Sequence, residues 1–367
     1  MKLRYKIVVS ILALVAIGLT ALALILGRTS ACGPAPALSG QSTVMKAIVG
    51  RCYGSPAVLE FADVAKPTPA DDEVLVKIHA AAVNPLDWHY MRGSPYFLRL
   101  MSGLGAPKNP RLGVDFAGTI EAVGKDVTRF QPGDEVFGGG NGAFAQYLTI
   151  REDRALTIKP DNISFEQAAA VPIAAISALQ VLRDKGQLKS GQKVLINGAS
   201  GGVGTFAVQI AKSFGAQVTG VCSTRNVEMV RSIGADHVFD YTKQDYTKSG
   251  EQYDLIIDNV GNRSLLANRA VMKPEGVMVM LGGSTGNWVG PLIGPLKASF
   301  LSPFVSQKFL MIMAQLDSED LAILADLMQA GTVTPVIDRR YPLSEVADAI
   351  AYIEEGHARG KVVVYMD

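Results

Sequence analysis

The chain has few cysteines and almost no net charge, and both shortages exclude classes of protein. Its 367 residues include three cysteines, Cys32, Cys52 and Cys222, which are widely spaced and odd in number. They provide neither a disulfide framework nor the paired spacing of a zinc cluster. The formal net charge is +1 with no long run of either sign, so nothing indicates nucleic acid as a partner. A content of 48% apolar residues with 37 glycines is typical of a turn-rich globular α/β protein, and the length suffices for two domains.

One long apolar run is present, at the N-terminus. Residues 7–26, IVVSILALVAIGLTALALIL, carry no charge and follow Lys2, Arg4 and Lys6. As a helix this run is about 30 Å long, the thickness of a bilayer core, whereas a cleaved signal peptide has an apolar core of roughly 7–15 residues. We therefore predict that residues 1–28 are an uncleaved transmembrane helix, with 7–26 in the lipid bilayer and the protein anchored to the membrane.

The predicted anchor leaves several points open. Residues 29–44, TSACGPAPALSGQSTV, are small, polar and interrupted by proline and glycine, which is typical of a linker. Cleavage near Cys32 and a true start at Met45 are the alternatives to an anchor. Basic residues before the run favour a location of the remaining chain outside the membrane, and the side that it faces stays open.

The pattern of strands and helices changes along the rest of the chain. Residues 45–165 contain short β-type runs between turn signals, such as EVLVKIHAAAVN, which predicts a β-rich domain. Residues 166–310 alternate apolar strands with helices, which predicts a parallel sheet covered on both faces. Ser164 and Gln167 have the spacing of a helix capping box just before this second region.

A glycine-rich turn follows the first apolar strand of the second region, in VLINGASGGVG (194–204). A G-x-G-x-x-G fingerprint would place its glycines at 199, 201 and 204, and the first of these is alanine. Residues 203–214 then show an apolar stripe at helical spacing. A strand, a glycine turn and a helix start form a cradle for a pyrophosphate. The residues predicted to form this cradle are Ala199, Ser200, Gly201, Gly202, Val203 and Gly204.

The residues after the second strand indicate which nucleotide binds. An NAD site has Asp or Glu there to accept from the ribose 2′-hydroxyl, and VTGVCSTRN (218–226) contains neither. Ser223, Thr224 and Arg225 could instead hydrogen-bond and charge-pair a 2′-phosphate. The sequence therefore favours NADPH as the cofactor.

With these motifs the chain resembles the medium-chain dehydrogenase/reductase superfamily, in its zinc-free quinone oxidoreductase, zeta-crystallin-like branch. GQKVLINGASGGVGTFAVQIAK (191–212), AAAVNPLDWHYMRG, GVDFAGTIEAVG, FQPGDEVFG and the closing GKVVVYMD carry the resemblance, which runs from 45 to 367. It implies an α/β fold with a GroES-like catalytic domain at 45–165, a Rossmann domain at 166–310 and a return to the catalytic domain at 311–367. It also implies Tyr241 and Gly282 at the cofactor and a homodimer.

Zinc enzymes of the same superfamily hold a catalytic metal at three positions that correspond to Asn84, Val114 and Ile173. None of these residues is a zinc ligand, so we predict that no metal is used. Without metal, hydride transfer from NADPH suits quinones and α,β-unsaturated carbonyls, whose oxyanions are delocalised.

Three residues in VNPLDWH are predicted to serve this chemistry. The Asn84 amide would hold the nicotinamide or a substrate oxygen, Asp87 would support the loop, and His89 would deliver a proton. The apolar segment 284–304 is predicted to line a pocket for a bulky hydrophobic carbonyl or quinone. The alternatives are an enoyl-thioester reductase, a zinc-independent alcohol dehydrogenase, or an adaptor that binds NADPH at a membrane without turnover.

Overall fold

A computed structural model describes residues 2–34, 43–282, 286–288 and 290–366. Within these residues the strands, numbered along the chain, are β1 (Val44–Gly50), β2 (Leu59–Ala65), β3 (Glu73–Val83), β4 (Asp115–Val123), β5 (Glu135–Gly139), β6 (Tyr147–Arg151), β7 (Leu156–Ile158), β8 (Lys193–Asn197), β9 (Gln217–Cys222), β10 (His237–Asp240), β11 (Tyr253–Asp258), β12 (Met272–Met280), β13 (Lys308–Met311), β14 (Ile337–Pro342) and β15 (Lys361–Tyr365).

The helices of the described residues lie mostly between the later strands. They are α1 (Lys2–Gly27), α2 (Pro85–Arg92), α3 (Arg99–Ser102), α4 (Phe165–Ala169), α5 (Pro172–Gln180), α6 (Gly202–Ser213), α7 (Val227–Ser232), α8 (Leu265–Ala270), α9 (Gly290–Leu301), α10 (Ser318–Gln329) and α11 (Val346–Glu354).

The later strands form a parallel six-stranded sheet in the order β10-β9-β8-β11-β12-β13. This is the doubly wound order: from β8 the next strands are added on one side, up to β10, and from β11 onward they are added on the other side. Apolar side chains such as Ile196 and Ile257 are fully buried because helices cover the sheet on both faces. The predicted Rossmann fold is confirmed, and its crevice opens at the carboxyl ends of β8 and β11.

Strands β3, β4, β5 and β7 form a mostly antiparallel sheet with the last two strands of the chain, in the order β14-β15-β3-β4-β5-β7, and β6 also pairs with β3; β1 and β2 form a separate two-stranded sheet. The predicted GroES-like fold is confirmed. β15 pairs antiparallel with β3, from Val362 against Val83 to Tyr365 against Ala80. The last strand of the chain therefore lies beside the strand that leads into Asn84, although 277 residues separate Asn84 from Lys361.

The connection between the two sheets shows how local sequence sets the helix ends. Ser164 Oγ accepts from Gln167 N at 3.2 Å, and Gln167 Oε1 accepts from Ser164 N at 2.9 Å, so the predicted capping box is confirmed. The helix predicted to follow is divided in two, α4 and α5. Pro172 begins α5 because proline lacks the N–H that a continuing helix requires.

The predicted transmembrane anchor over residues 7–26 is wrong. Among the described residues, no helix is sufficiently long and apolar to cross a bilayer. The bilayer contact and the membrane-anchored location that were derived from it are wrong for the same reason. The end of α1 lies against the rest of the protein, where Leu26 is buried and its carbonyl accepts from Arg99 Nη1 at 2.9 Å.

The segment after α1 also contacts the β-rich domain. Ser30 N donates to Gly105 O at 2.8 Å, and Cys32 forms a disulfide with Cys52 at the end of β1. The number and spacing of the cysteines predicted no disulfide framework, and this single disulfide is the one that the described residues contain. Their pairing depends on a tertiary contact, which their number and spacing do not encode. Of the predicted linker at 29–44, residues 35–42 lie outside the described residues.

Candidate cofactor and active site

A cleft of ≈ 530 Å³ opens at the carboxyl ends of β8, β9 and β11. It is lined by the glycine turn after β8, by residues after β9 and β11, by Asn84 at the start of α2, and by the segment 356–361 before β15. No Asp or Glu is found among the described residues that line it. The cleft thus joins elements of both sheets, and its lining favours an anionic ligand.

The glycine turn explains how the chain tolerates alanine at the first fingerprint position. Gly198 has a φ of +81°, a left-handed conformation that favours glycine, whereas Ala199 is a fully buried residue outside that region. The residue that makes the sharp turn is therefore Gly198, one position earlier. At Gly204, a Cβ would lie 2.1 Å from Gly198 O, so only glycine lets α6 pack this closely on the turn.

Of the side chains predicted to bind the 2′-phosphate, some face the cleft and one does not. Ser223, Arg225 and Tyr241 line the cleft, and Arg225 Nη2 donates to His357 O at 2.6 Å. Thr224 does not line it, because its hydroxyl donates to Asp240 Oδ2 at 2.6 Å. Of the residues predicted to contact a 2′-phosphate, three therefore face the cleft and Thr224 is used internally.

Two asparagines in the cleft have polar atoms that the protein leaves without partners. Both side-chain atoms of Asn259, Nδ2 and Oδ1, and the Oδ1 of Asn226 are buried and accept or donate no hydrogen bond within the described chain. Buried polar groups are normally paired, so these atoms are suited to a ligand's polar groups. Together with the glycine turn and the absence of a lining carboxylate, they fit a phosphorylated dinucleotide such as NADPH.

Asn84 lies at the inner end of the cleft, where it is almost fully buried. Its Nδ2 donates to Asp115 Oδ2 at 2.9 Å and to Ala82 O at 3.3 Å, and its Oδ1 accepts from Lys361 Nζ at 2.5 Å. Burial raises the pKa of Asp115, an effect that the neighbouring Lys361 ammonium opposes. Asn84 is thus part of a buried polar network with a carboxylate and an ammonium group.

Asp87 and His89 lie on α2 but do not line the cleft. Asp87 Oδ2 accepts from Asn84 N at 2.7 Å, which caps the helix and supports the loop. His89 Nδ1 lies 2.6 Å from Ser94 O, so this nitrogen is the donor, and burial lowers the pKa of the ring. The structure does not bring His89 to Asn84, and its proton-transfer role stays a prediction.

We expect the Asp87→Asn substitution to change the pH dependence of stability. Burial raises the pKa of Asp87 to about 7 in the folded protein, far above the ~3.9 of an unfolded chain. The folded state therefore holds the proton more tightly, and the stability this provides is lost as the pH rises from about 4 to about 7. The neutral variant escapes this loss. Its melting temperature should rise relative to that of the wild type across this range and then level off.

Thermal unfolding followed at half-unit steps from pH 4.5 to 8.5 measures the difference. Asp126→Asn, which removes a carboxylate from an exposed loop, serves as the matched control for loss of charge. A constant difference between Asp87→Asn and wild type over the whole range would contradict the prediction.

The three positions that hold zinc in related enzymes come together around Asp115. Asn84 and the backbone N of Ile173, at 3.1 Å, both donate to this carboxylate, and Val114 precedes it in the chain. Among the described residues, no group of three His, Cys, Asp or Glu side chains could hold a metal ion. At these positions the structure shows hydrogen bonds from Asn84 Nδ2 and Ile173 N to Asp115, and the absence of a metal stays a prediction.

A second cavity, of ≈ 280 Å³, lies beside the first turn of α2. Asp87 lines this cavity, whereas Asn84 and Pro85 line the cleft. Its walls include the apolar residues Met91, Met101, Leu112 and Val114. The described residues of 284–304 line neither cavity, so the pocket role given to that segment stays a prediction, and part of it lies outside the described residues.

Sequence reasoning missed the contributions of the C-terminal segment. Gly360 N donates to Ser200 O at 2.8 Å in the glycine turn, and Lys361 reaches Asn84. Gly282, predicted at the cofactor, is not among the residues that line the cleft; a Cβ there would be 2.1 Å from Asn259 O, and its role at the cofactor stays a prediction. No local signal marks residues 356–361, because their role comes from the pairing of β15 with β3.

Comparison with known proteins agrees with this geometry. Residues 70–161 match the family model for the alcohol dehydrogenase GroES-like domain, and residues 233–364 match that for zinc-binding dehydrogenase. The mitochondrial NAD(P)H oxidoreductase RTN4IP1 of Mus musculus is 35% identical over 362 residues, which cover 89% of this chain and 90% of that protein. The chloroplastic NADPH-dependent alkenal/one oxidoreductase of Arabidopsis thaliana is 32% identical, over 88% of this chain and 79% of its own.

Among solved structures, the quinone oxidoreductase of Escherichia coli complexed with NADPH has a TM-score of 0.76 to this chain. It is 25% identical, and the match covers 87% of this chain and 99% of the bacterial enzyme. The chain therefore belongs to the zinc-free quinone oxidoreductase branch of the medium-chain dehydrogenase/reductase superfamily.

Proposed function

We propose that this chain is an NADPH-dependent oxidoreductase that reduces quinones or α,β-unsaturated carbonyls by hydride transfer without a metal. The observation that carries the proposal is the composition of the cleft. It combines a glycine turn, the Ser223, Arg225 and Tyr241 side chains after β9, and a lining without carboxylates. The names of the relatives, a quinone oxidoreductase bound to NADPH and an NADPH-dependent alkenal/one oxidoreductase, support it.

Different residues of the cleft would bind different parts of the cofactor. NADPH supplies the hydride when it is bound. The start of α6 at Gly202 offers free backbone N–H groups to the pyrophosphate, while Gly201 N donates to Gly198 O at 3.1 Å. Arg225 and Ser223 offer charge and hydrogen bonds to the 2′-phosphate. The inner end, at Asn84, is then left for the nicotinamide.

The second cavity is suited to the acceptor. Its walls combine the apolar side chains Met91, Leu112 and Val114 with polar residues that include Arg111, and it adjoins the turn of α2 that carries Asn84. A conjugated acceptor spreads the charge that develops on its oxygen, so the polar network at Asn84 has less charge to stabilise than in a simple ketone. This favours quinones and enones over saturated carbonyls.

An acceptor screen with the full chain tests the proposal. NADPH oxidation should be seen with a naphthoquinone or a small enone, should be much slower with NADH, and should be absent with a saturated ketone. NADPH deuterated at C4 separates hydride transfer from electron transfer, because an enone product must carry the label. Tight NADPH binding with no turnover of any acceptor would contradict the proposal and favour the non-catalytic adaptor. Preference for an enoyl-CoA over both acceptors would favour the enoyl-thioester reductase.

We further propose that the protein is a homodimer joined through β13. This strand is at the edge of the described six-stranded sheet and pairs with β12 on one side. Beside it are large exposed apolar side chains, with Phe304 83% and Met313 85% exposed. An open edge next to an apolar patch is typical of a surface that pairs with another copy.

Light scattering on the purified chain measures the mass directly. We expect twice the chain mass at micromolar concentration, and a lower dimer fraction after Met313→Glu, which places a charge in the apolar patch. Leu266→Glu, at an exposed apolar residue on α8, is the control. A monomer at 100 µM would contradict the proposal.

A further inference from the structure

The inner end of the cleft contains an ion pair that is sealed from solvent. Lys361 Nζ lies 3.3 Å from Asp115 Oδ2, and the two side chains are 2% and 0% exposed. Asp115 Oδ1 also accepts from Ile173 N at 3.1 Å. Charges are rarely buried unless they are paired and hydrogen-bonded, because desolvation costs several kcal/mol per ion. This pair is at the base of a ligand cleft, which suggests a role beyond packing.

The hydrogen bonds of this network fix what Asn84 can offer a ligand. Both Nδ2 protons are used, one by Asp115 and one by Ala82 O. Asn84 therefore has no free donor for a substrate oxygen, and its Oδ1 keeps one lone pair beside the bond from Lys361. Lys361 has three N–H groups, and two of them are used by Asn84 and Asp115. The free donor and the positive charge at this end belong to Lys361.

The direction of the cleft determines which part of the cofactor meets this charge. The segment before β15 runs along the cleft and fixes this direction: His357 O accepts from Arg225, Gly360 N donates to Ser200 O in the glycine turn, and Lys361 Nζ donates to Asn84. A dinucleotide bound by its phosphates along this path places its nicotinamide at the Lys361 end. The nicotinamide is the part whose charge changes in the reaction, since it is positive in NADP⁺ and neutral in NADPH.

We propose that Lys361, held in place by Asp115 and Asn84, makes the cleft select the reduced cofactor over the oxidised one. Its ammonium repels the positive ring of NADP⁺ and leaves the neutral ring of NADPH unaffected. Like charges repel more strongly where water is excluded, and Asp115, 3.3 Å from Lys361 Nζ, offsets part of this repulsion. The inference rests on the proposed function only for the identity of the cofactor.

The pyrophosphate of the cofactor is the alternative target for Lys361. A Cβ on Gly202 would lie 3.2 Å from Lys361 Cδ, so the side chain passes close to the glycine turn. A contact with the pyrophosphate would affect NADPH and NADP⁺ equally, because both carry it. The ratio of the two dissociation constants therefore separates a role at the nicotinamide from a role at the pyrophosphate.

The experiment measures the dissociation constants of NADPH and NADP⁺ by fluorescence and calorimetry, without an acceptor, for wild type, Lys361→Met and Asp115→Asn. We expect the ratio Kd(NADP⁺)/Kd(NADPH) to fall at least about fivefold in Lys361→Met, where the repelling charge is lost. It should rise in Asp115→Asn, where the offsetting charge is lost. Lys361→Arg, which keeps the positive charge, should retain a ratio near that of wild type.

Opposite shifts in two variants that both break the same ion pair cannot come from a general loss of structure. Each single variant leaves one buried charge unpaired, so melting temperatures are measured alongside. If Lys361→Met does not fold, the neutral pair Lys361→Met with Asp115→Asn replaces it, and its ratio should be lower than that of Asp115→Asn alone. Equal weakening of both cofactor forms, or an unchanged ratio, overturns the inference. Failure of the proposed function would appear separately, as the absence of turnover in the acceptor screen.

Discussion

Gly204→Ala is expected to destabilise the protein and to weaken NADPH binding together. The added Cβ would lie 2.1 Å from Gly198 O and 2.7 Å from Ala199 Cα, both of them backbone atoms that cannot rotate away. Overpacking of this kind costs about 1–3 kcal/mol, and here the relief must come from moving α6 away from the turn. That movement displaces the N–H groups that face the pyrophosphate. Thermal unfolding and NADPH titration on the same samples measure the two losses.

Gly201→Ala provides the matched control three residues earlier in the same turn. A Cβ there would have one neighbour within 4 Å, Gly198 O at 3.5 Å, and the residue's φ of −84° suits alanine. The melting temperature should therefore match that of wild type. The methyl group would still lie where the phosphates approach, so the Kd for NADPH should rise on the order of tenfold, about 1.4 kcal/mol. A Gly204→Ala variant with wild-type stability and affinity would contradict this account of the turn.

The contrast between these two glycines shows why the turn was predictable from the sequence. Its strand, turn and helix are consecutive, so residues 194–214 carry all the information that sets the local fold. The fingerprint failed at one position, because Ala199 stands where it places its first glycine. The residue with the left-handed backbone is Gly198, one position before Ala199.

The inner end of the cleft could not be predicted in the same way. Asn84 was identified from its local motif, but its hydrogen bonds depend on Asp115 and Lys361, which are 31 and 277 residues away. Only the pairing of β15 with β3 and of β3 with β4 brings them together. The local motif therefore located the site at Asn84. The long-range strand pairing determined which atoms of Asn84 are left for a ligand.

At the N-terminus, the prediction of a membrane anchor relied on composition and length alone and was wrong. An apolar run of suitable length predicted a membrane anchor, but length and composition do not include the contacts that a helix end makes. Arg99, which is 2% exposed, donates to Leu26 O and Arg28 O and thereby ties the end of α1 to the residues around α3. These hydrogen bonds supply partners for carbonyls that a helix end leaves free.

The residues after β9 correctly predicted NADPH as the cofactor, but the sequence alone did not show which of their side chains face the cleft. Ser223 and Arg225 line the cleft, whereas Thr224 between them donates to Asp240. The Asp240 carboxylate also accepts from Thr242 and pairs with Lys243. It is therefore occupied outside the cleft and does not act as the ribose-binding acid of an NAD site.

Arg225→Ala is expected to abolish most of the preference for NADPH. Arg225 carries the positive charge at the end of the cleft opposite to Lys361, and its guanidinium is held by His357 O at 2.6 Å. A hydrogen bond to a charged group contributes about 1.5–3 kcal/mol, so kcat/KM for NADPH should fall roughly 10- to 150-fold. NADH has no 2′-phosphate, and its kcat/KM should change less than about threefold.

Arg231→Ala is the matched control, because Arg231 is an exposed arginine on α7 that does not line the cleft. It removes the same charge from the same region and should leave the ratio of NADPH to NADH efficiency unchanged. Equal losses with both cofactors in Arg225→Ala would contradict a 2′-phosphate contact and would assign the residue to holding the segment around His357. A selective loss with NADPH would instead locate the discrimination at Arg225, because the two cofactors differ only at the 2′-position that this end of the cleft receives.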